Sequence, residues 1–222
     1  IGLMTPELPD LVKPGALGTI KVTDPVPAAL AAREKAAAEG AKVFVALAHI
    51  GGTPGAAGAP PTGPLAELAT QLTGFDLVLG GHTHSAINAQ IGDVLVVENQ
   101  SQGTTYSRAM LRYDFASSSV VTRTAEIVTP LADAVTPDQE VLDLLAPYRT
   151  KVAQTLDGHI GVATGTFERG NNVERLQEVP IGDLLADALR ARYKTQIALV
   201  NGGGIRSPLP SSYAPADLSF KR

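Results

Sequence analysis

The stretch Phe75-Asp76-Leu77-Val78-Leu79-Gly80-Gly81-His82-Thr83-His84 limits what this chain can become more than any other. A short apolar run that breaks at two glycines and then supplies two histidines two positions apart reads as a buried strand opening into a metal-binding turn. Glycine lacks Cβ, so Gly80 and Gly81 are expected to take the φ > 0 conformation that lets both imidazoles face one point instead of opposite faces of a strand.

A second histidine sits at a comparable place. The almost continuous apolar run Lys42–Ala48, as expected of a strand buried on both faces, ends in His49. Residues 51–63 are a glycine- and proline-rich loop, and Pro64–Leu72 reads as a short helix closed by Gly74. The resulting strand, crossover helix and strand place both strand ends on one edge of a parallel sheet, the edge where ligands bind in open α/β folds. His49, His82 and His84 are therefore expected to fall together. The chain has no cysteine, which leaves imidazole and carboxylate as its strong metal ligands and excludes a cysteine nucleophile. Asp76 and Asp93 flank the histidines and are better explained as turn or strand-edge residues, while His159 reads as a solvated loop residue.

Ahead of this unit, Ile1-Gly2-Leu3-Met4 reads as the tail of a strand, so the chain is expected to be preceded by further sequence. Asp24 caps a helix with Pro25 in its first turn, running through Ala28 to Glu39 and ended by Gly40. After the histidines, Asp93–Glu98, Ser107–Phe115 and Val120–Val128 read as strands that extend the sheet in antiparallel fashion. A long helix follows from Pro137 and Asp138 to about Leu156, with Val141, Leu144, Leu145 and Val152 on one side and a possible kink at Pro147. The pattern then restarts: Ile160–Phe167 as strand, 170–172 as turn, Ile181–Tyr193 as helix and Gln196–Val200 as strand.

The last strand runs into Asn201-Gly202-Gly203-Gly204-Ile205-Arg206. One reading is a plain tight loop; the other is an anion cradle of successive backbone N–H groups with the Arg206 guanidinium as a fork for phosphate or a ribose hydroxyl. A net charge of −4 without a lysine or arginine run gives no electrostatic footprint for nucleic acid. No segment approaches the roughly twenty apolar residues that cross a bilayer. There is also no Gly-x-Ser-x-Gly elbow, no phosphate-loop lysine motif and no dinucleotide-binding glycine fingerprint.

Taken together, Ala46-Leu47-Ala48-His49-Ile50-Gly51-Gly52, Gly80-Gly81-His82-Thr83-His84, Gly182-Asp183-Leu184-Leu185-Ala186-Asp187-Ala188 and the Asn201–Arg206 element resemble, in order and spacing, the bacterial 5'-nucleotidase/UDP-sugar hydrolase family. The resemblance covers almost the whole chain. It implies an α/β fold: part of a four-layer α/β/β/α metallophosphoesterase domain at 1–135, a linker helix at 136–157, and part of an α/β C-terminal nucleotidase domain at 158–222. It implies that His49 and His82 ligate one metal and His84 the other of two divalent ions, zinc, manganese or similar, and that Arg175, Asn201, Gly203, Gly204 and Arg206 contact substrate. The family's remaining ligands and a catalytic histidine would precede Ile1, and its base-stacking aromatic pair would follow Arg222, so no catalytic residue is identified in this chain. The implied substrate is a nucleotide or nucleotide-sugar rather than nucleic acid, and the implied location is outside the cytoplasm. A 2',3'-cyclic nucleotide phosphodiesterase, a thiosulfohydrolase and a non-catalytic nucleotide- or metal-binding fragment are the alternatives.

Overall fold

The computed structural model describes residues 1–56, 59–131, 135–156, 159–163, 165–170, 176–209 and 218–219. The chain divides into two compact units, 1–135 and 136–222.

The first unit is built on a five-stranded sheet in which β1 (Gly2–Met4), β2 (Val45–His49), β3 (Leu77–Leu79) and β5 (Val94–Glu98) run parallel, with β4 (Ile87–Ile91) antiparallel at the edge beside β5. Two crossover helices make the parallel order possible. Helix α2 (Pro25–Ala38), after a single short turn of helix α1 (Leu8–Leu11), joins β1 to β2, and α3 (Pro64–Gln71) joins β2 to β3. Asp24 caps α2 by accepting a hydrogen bond from the Val26 N–H at 2.9 Å, and Gly40 at φ 101° ends it.

Strand alternation sorts the apolar side chains onto the two faces of this sheet. Ala46, Ala48, Val78, Val94 and Val96 pack with Phe44, Leu65, Leu68, Leu72 and Phe75 in a core on the side of α2 and α3. Leu77, Leu95 and Val97 face the other way, against Ala109, Leu111 and Ala125 of the two-stranded ribbon formed by β6 (Tyr106–Asp114) and β7 (Ser119–Val128). The layers are thus helix, sheet and sheet. The ribbon is pinned by two polar contacts: Arg123 donates to Asp76 at 2.6 Å, and Asn88 donates to the Ala125 carbonyl at 2.6 Å.

One expectation is corrected here. The strands after the histidines do not form a single antiparallel extension: β5 is an interior parallel strand, all five of its residues buried, and β6 and β7 form a sheet of their own. The reason is β4, which the sequence pattern did not reveal. It returns the chain along the sheet edge, and a two-residue turn with Gly92 at φ 56° then sends β5 back parallel to β3. Asp76 lies at the start of β3, away from the histidines, and its buried carboxylate serves Arg123 and the Phe44 N–H, a structural role.

The second unit contains α4 (Gln139–Leu156), with Pro147 inside it and no buried side chain. It also holds β8 (His159–Gly161) paired antiparallel with β9 (Leu218–Ser219), and α5 (Pro180–Tyr193). His159 therefore lies in a strand rather than a loop. Val179, Ile181 and Ile205 form its buried core among the described residues, with Phe167, Leu184, Val200 and Leu209 partly buried around them. The expected strand at 196–200 does not form, and Ile197 and Leu199 are exposed: no neighbouring strand pairs with it among the described residues, and an unpaired segment gains nothing from its β-branched composition.

Candidate functional site

The parallel order brings the C-terminal ends of β1, β2, β3 and β5 to one edge, and every residue of interest in the first unit is there. His49 closes β2, the His82-Thr83-His84 turn follows β3, and Glu98 closes β5. The rings of His49 and His82 meet edge to face with centroids 5.2 Å apart. Glu7, in the turn after β1, brings Oε2 to 4.0 Å from His82 Nε2; both groups are solvent-accessible, so that contact adds little by itself. An open cleft of about 590 Å³ runs from His49, Gly80 and Gly81 along Gly2, Leu3, Met4 and Leu47.

The backbone of the histidine turn differs from expectation. The left-handed conformation falls on the histidines themselves, His82 at φ 82° and His84 at φ 56°, and not on Gly80 or Gly81. The glycines answer a different need. A Cβ at Gly80 would lie 2.4 Å from the Leu65 side chain, and a Cβ at Gly51 would lie 2.4 Å from Thr83 Oγ1 and 2.7 Å from the Gly81 carbonyl oxygen. These glycines let the loops after β2 and β3 close on each other. Each non-glycine residue in the left-handed region costs about 1–3 kcal/mol, so the turn needs an outside support.

That support is Glu98, a carboxylate with no exposed surface. Its Oε1 accepts from the Thr83 N–H at 3.1 Å, the Thr83 hydroxyl at 2.7 Å and the Ser85 N–H at 3.3 Å, and its Oε2 accepts from the Gly52 N–H at 3.0 Å. Every partner is a donor, which suits a group that only accepts. Thr83 Oγ1 also accepts from the Gly52 N–H at 3.1 Å and lies 2.8 Å from the Gly52 carbonyl oxygen. Thr83 and Ser85, on either side of His84, are thereby tied to one carboxylate oxygen, which holds the left-handed backbone between them in place.

Among the described residues, no three histidine, aspartate or glutamate side chains gather closely enough to hold a metal ion. The expected convergence of three imidazoles is therefore realised only as the His49–His82 pair, with His84 exposed beside it. Imidazole suits zinc-type ions, and this pair would supply two nitrogens to such an ion's ligand shell.

In the second unit, Gly202–Gly204 form one turn of 3₁₀ helix capped by Asn201, whose Oδ1 accepts from the Gly203 N–H at 2.9 Å. The Gly204 N–H bonds to the Asn201 carbonyl and the Ile205 N–H to the Gly202 carbonyl. Of the two readings of this element, the tight turn is the one seen in the backbone, with the Gly203 and Gly204 N–H groups both bonded to Asn201. Arg206 bends back, its Nη1 donating to the Gly203 carbonyl at 3.3 Å. Arg175 lies outside the described residues.

Glu98 and Thr83 were not singled out by sequence reasoning, nor was Glu7. A signal for Glu98 was present: like His49, it is the one polar residue ending an otherwise apolar strand.

Comparison with known proteins adds the following. Residues 158–219 match the model of the 5'-nucleotidase C-terminal domain. The chain is 30% identical over 210 residues to Endonuclease YhcR of Bacillus subtilis (strain 168), covering 94% of this chain and 17% of that protein. It is 23% identical over 237 residues to Cell wall protein Lmo0130 of Listeria monocytogenes, covering 96% of this chain and 30% of that protein. The crystal structure of a 5'-nucleotidase precursor from Thermus thermophilus superposes with a TM-score of 0.75 at 24% identity, over 93% of this chain and 42% of that one, a likeness of fold. The chain thus spans less than a third of the length of either curated relative.

Proposed function

We propose that this chain, whose residues 158–219 match the 5'-nucleotidase C-terminal domain, serves metal-dependent hydrolysis of nucleotide phosphoesters, with residues 1–135 carrying the metal-binding part, 136–157 a linker and 158–222 the nucleotide-binding part. The observation that carries this reading is the His49–His82 pair at the C-terminal edge of a parallel sheet, beside a His-Thr-His turn held in a strained conformation by a buried carboxylate. His49 and His82 would hold one divalent ion and His84 would face a second. Metal held there would supply Lewis-acid polarisation of the phosphoryl group and activation of water at neutral pH, so no protein nucleophile is required. The chain's own part is to present the imidazoles in fixed orientation and to keep the loops after β2 and β3 closed. Asn201, Arg206, Gly203 and Gly204, together with Arg175, would contact the nucleotide. Of these, the Arg206 guanidinium is the group suited to an anion.

The test is metal content and phosphate release from nucleoside monophosphates, measured on the full-length protein with added zinc or manganese. His82→Ala should lower release more than about 100-fold, beyond the 10–100-fold typical of residues one step removed from a metal. Unchanged turnover in that variant would remove His82 from the mechanism. Stoichiometric metal with no release under any divalent ion would sink the hydrolase reading.

The relative named an endonuclease favours a second reading, hydrolysis of phosphodiesters in a polynucleotide. Offering single-stranded DNA and a nucleoside monophosphate in parallel separates the two. A location outside the cytoplasm is proposed on the strength of the relative named a cell wall protein; among the described residues, no helix is long and apolar enough to cross a membrane.

A further inference from the structure

We propose that Glu98 is the positioning residue of the histidine site: its buried carboxylate sets the left-handed conformations of His82 and His84 and locks their turn to the loop that follows His49. For its consequence in metal binding this rests on the reading above; for its geometry it does not.

Three features separate Glu98 from a buried carboxylate that merely stabilises the core. Its bonds are divided between two loops: Oε1 serves Thr83 and Ser85, which bracket His84, and Oε2 serves Gly52, three residues after His49. One side chain therefore fixes the spacing between the two histidine-bearing segments. The residue between the histidines, Thr83, has both its N–H and its hydroxyl on Oε1, so its backbone orientation, and with it the direction in which the flanking imidazoles leave the chain, is set by that atom. Finally, Gly51 has no room for a Cβ against Thr83 Oγ1 and the Gly81 carbonyl, so the two loops that Glu98 bridges are in direct contact. Glu98 touches no imidazole and acts through the backbone.

The chemistry predicts a graded response. Glutamine can place its carbonyl oxygen at the Oε1 position and keep the Thr83 and Ser85 bonds, losing only the one to Gly52, where its amide would meet another donor. Alanine loses all four. The experiment compares wild type, Glu98→Gln, Glu98→Ala and a control, Leu68→Ala, in the helix-side core, by manganese titration calorimetry, denaturant unfolding and metal-free crystal structures of the full-length protein. Glu98→Gln should bind manganese within about threefold of wild type and keep His82 and His84 at positive φ. Glu98→Ala should bind about 10–100-fold more weakly, the range seen when a ligand's supporting group is removed. Leu68→Ala should lose stability without losing affinity.

Equal affinity in wild type and Glu98→Ala, or an equal loss in Leu68→Ala, would overturn the proposal. If Glu98→Ala does not fold, the glutamine variant decides: a crystal structure in which the Thr83 and Ser85 bonds to the glutamine oxygen are kept while His82 and His84 leave positive φ would overturn the proposal, as would an affinity loss of 10-fold or more with the turn unchanged. If wild type takes up neither manganese nor zinc, the metal reading fails, and the histidine conformations in the crystal structures of the variants still decide the role of Glu98.

Discussion

Thr83 shows how much of this site depends on single atoms. Its hydroxyl has one hydrogen and two acceptors within 2.8 Å, the Glu98 carboxylate and the Gly52 carbonyl, while it accepts from the Gly52 N–H. Its side facing residues 51–52 is tightly filled, and Gly51 is where that closeness is most easily tested. A methyl group there meets Thr83 and the Gly81 backbone at distances that real Cβ atoms do not show. Gly51→Ala should therefore cost about 1–3 kcal/mol, the usual range for overpacking a filled site. Gly2→Ala, where nothing lies within 4 Å of the added carbon, should stay within about 0.5 kcal/mol. Urea unfolding of the two variants side by side checks both values. The histidines were legible in the sequence because residue type alone narrows their chemistry. Their left-handed backbone was not, since the glycines beside them offered a simpler explanation and the actual cause, Glu98, lies more than ten residues further along the chain.

Among the elements, the contact between ribbon and sheet depends on a buried ion pair. Asp76 is buried and Arg123 mostly so, and the Arg123 Nε has no partner of its own, so the pair relies on the Nη2 bond and on the Phe44 N–H to offset the removal of charge from water. Arg123→Ala would leave Asp76 uncompensated between two layers. The expected cost is about 3 kcal/mol in urea unfolding, with amide exchange in β6 and β7 rising more than in β2 and β3. The helices and the β2-α3-β3 crossover were readable from caps, glycines and apolar runs, which are local signals. β4 was missed although Ile87-Asn88-Ala89-Gln90-Ile91 alternates as a half-buried edge strand does, and that one omission reversed the assigned direction of β5 and moved Glu98 away from the histidines. The strand at 196–200 failed for the opposite reason: its composition is suited to a strand, but a strand needs a neighbour.

For the whole molecule, the two compact units have unequal cores. The first buries Phe44, Leu65, Leu72, Phe75, Val78 and Val96 among others, while the second buries Val179, Ile181 and Ile205 among the described residues. Because burial of apolar surface is the main force opposing chain entropy, hydrogen exchange followed by mass spectrometry should find the slowest amides in β2, β3 and β5. α4, which buries no side chain, should exchange fastest of the long helices. Equal protection in α3 and α4 would contradict this. The bond between Gly52 and Glu98 joins positions 46 residues apart. Closing so long a loop loses entropy before any contact rewards it, and here the chain must also complete α3, lay down β3 and turn back through β4 before the carboxylate can arrive. The histidines are therefore expected to acquire their shape late in folding, which would show as Glu98→Ala speeding unfolding while leaving the folding rate unchanged.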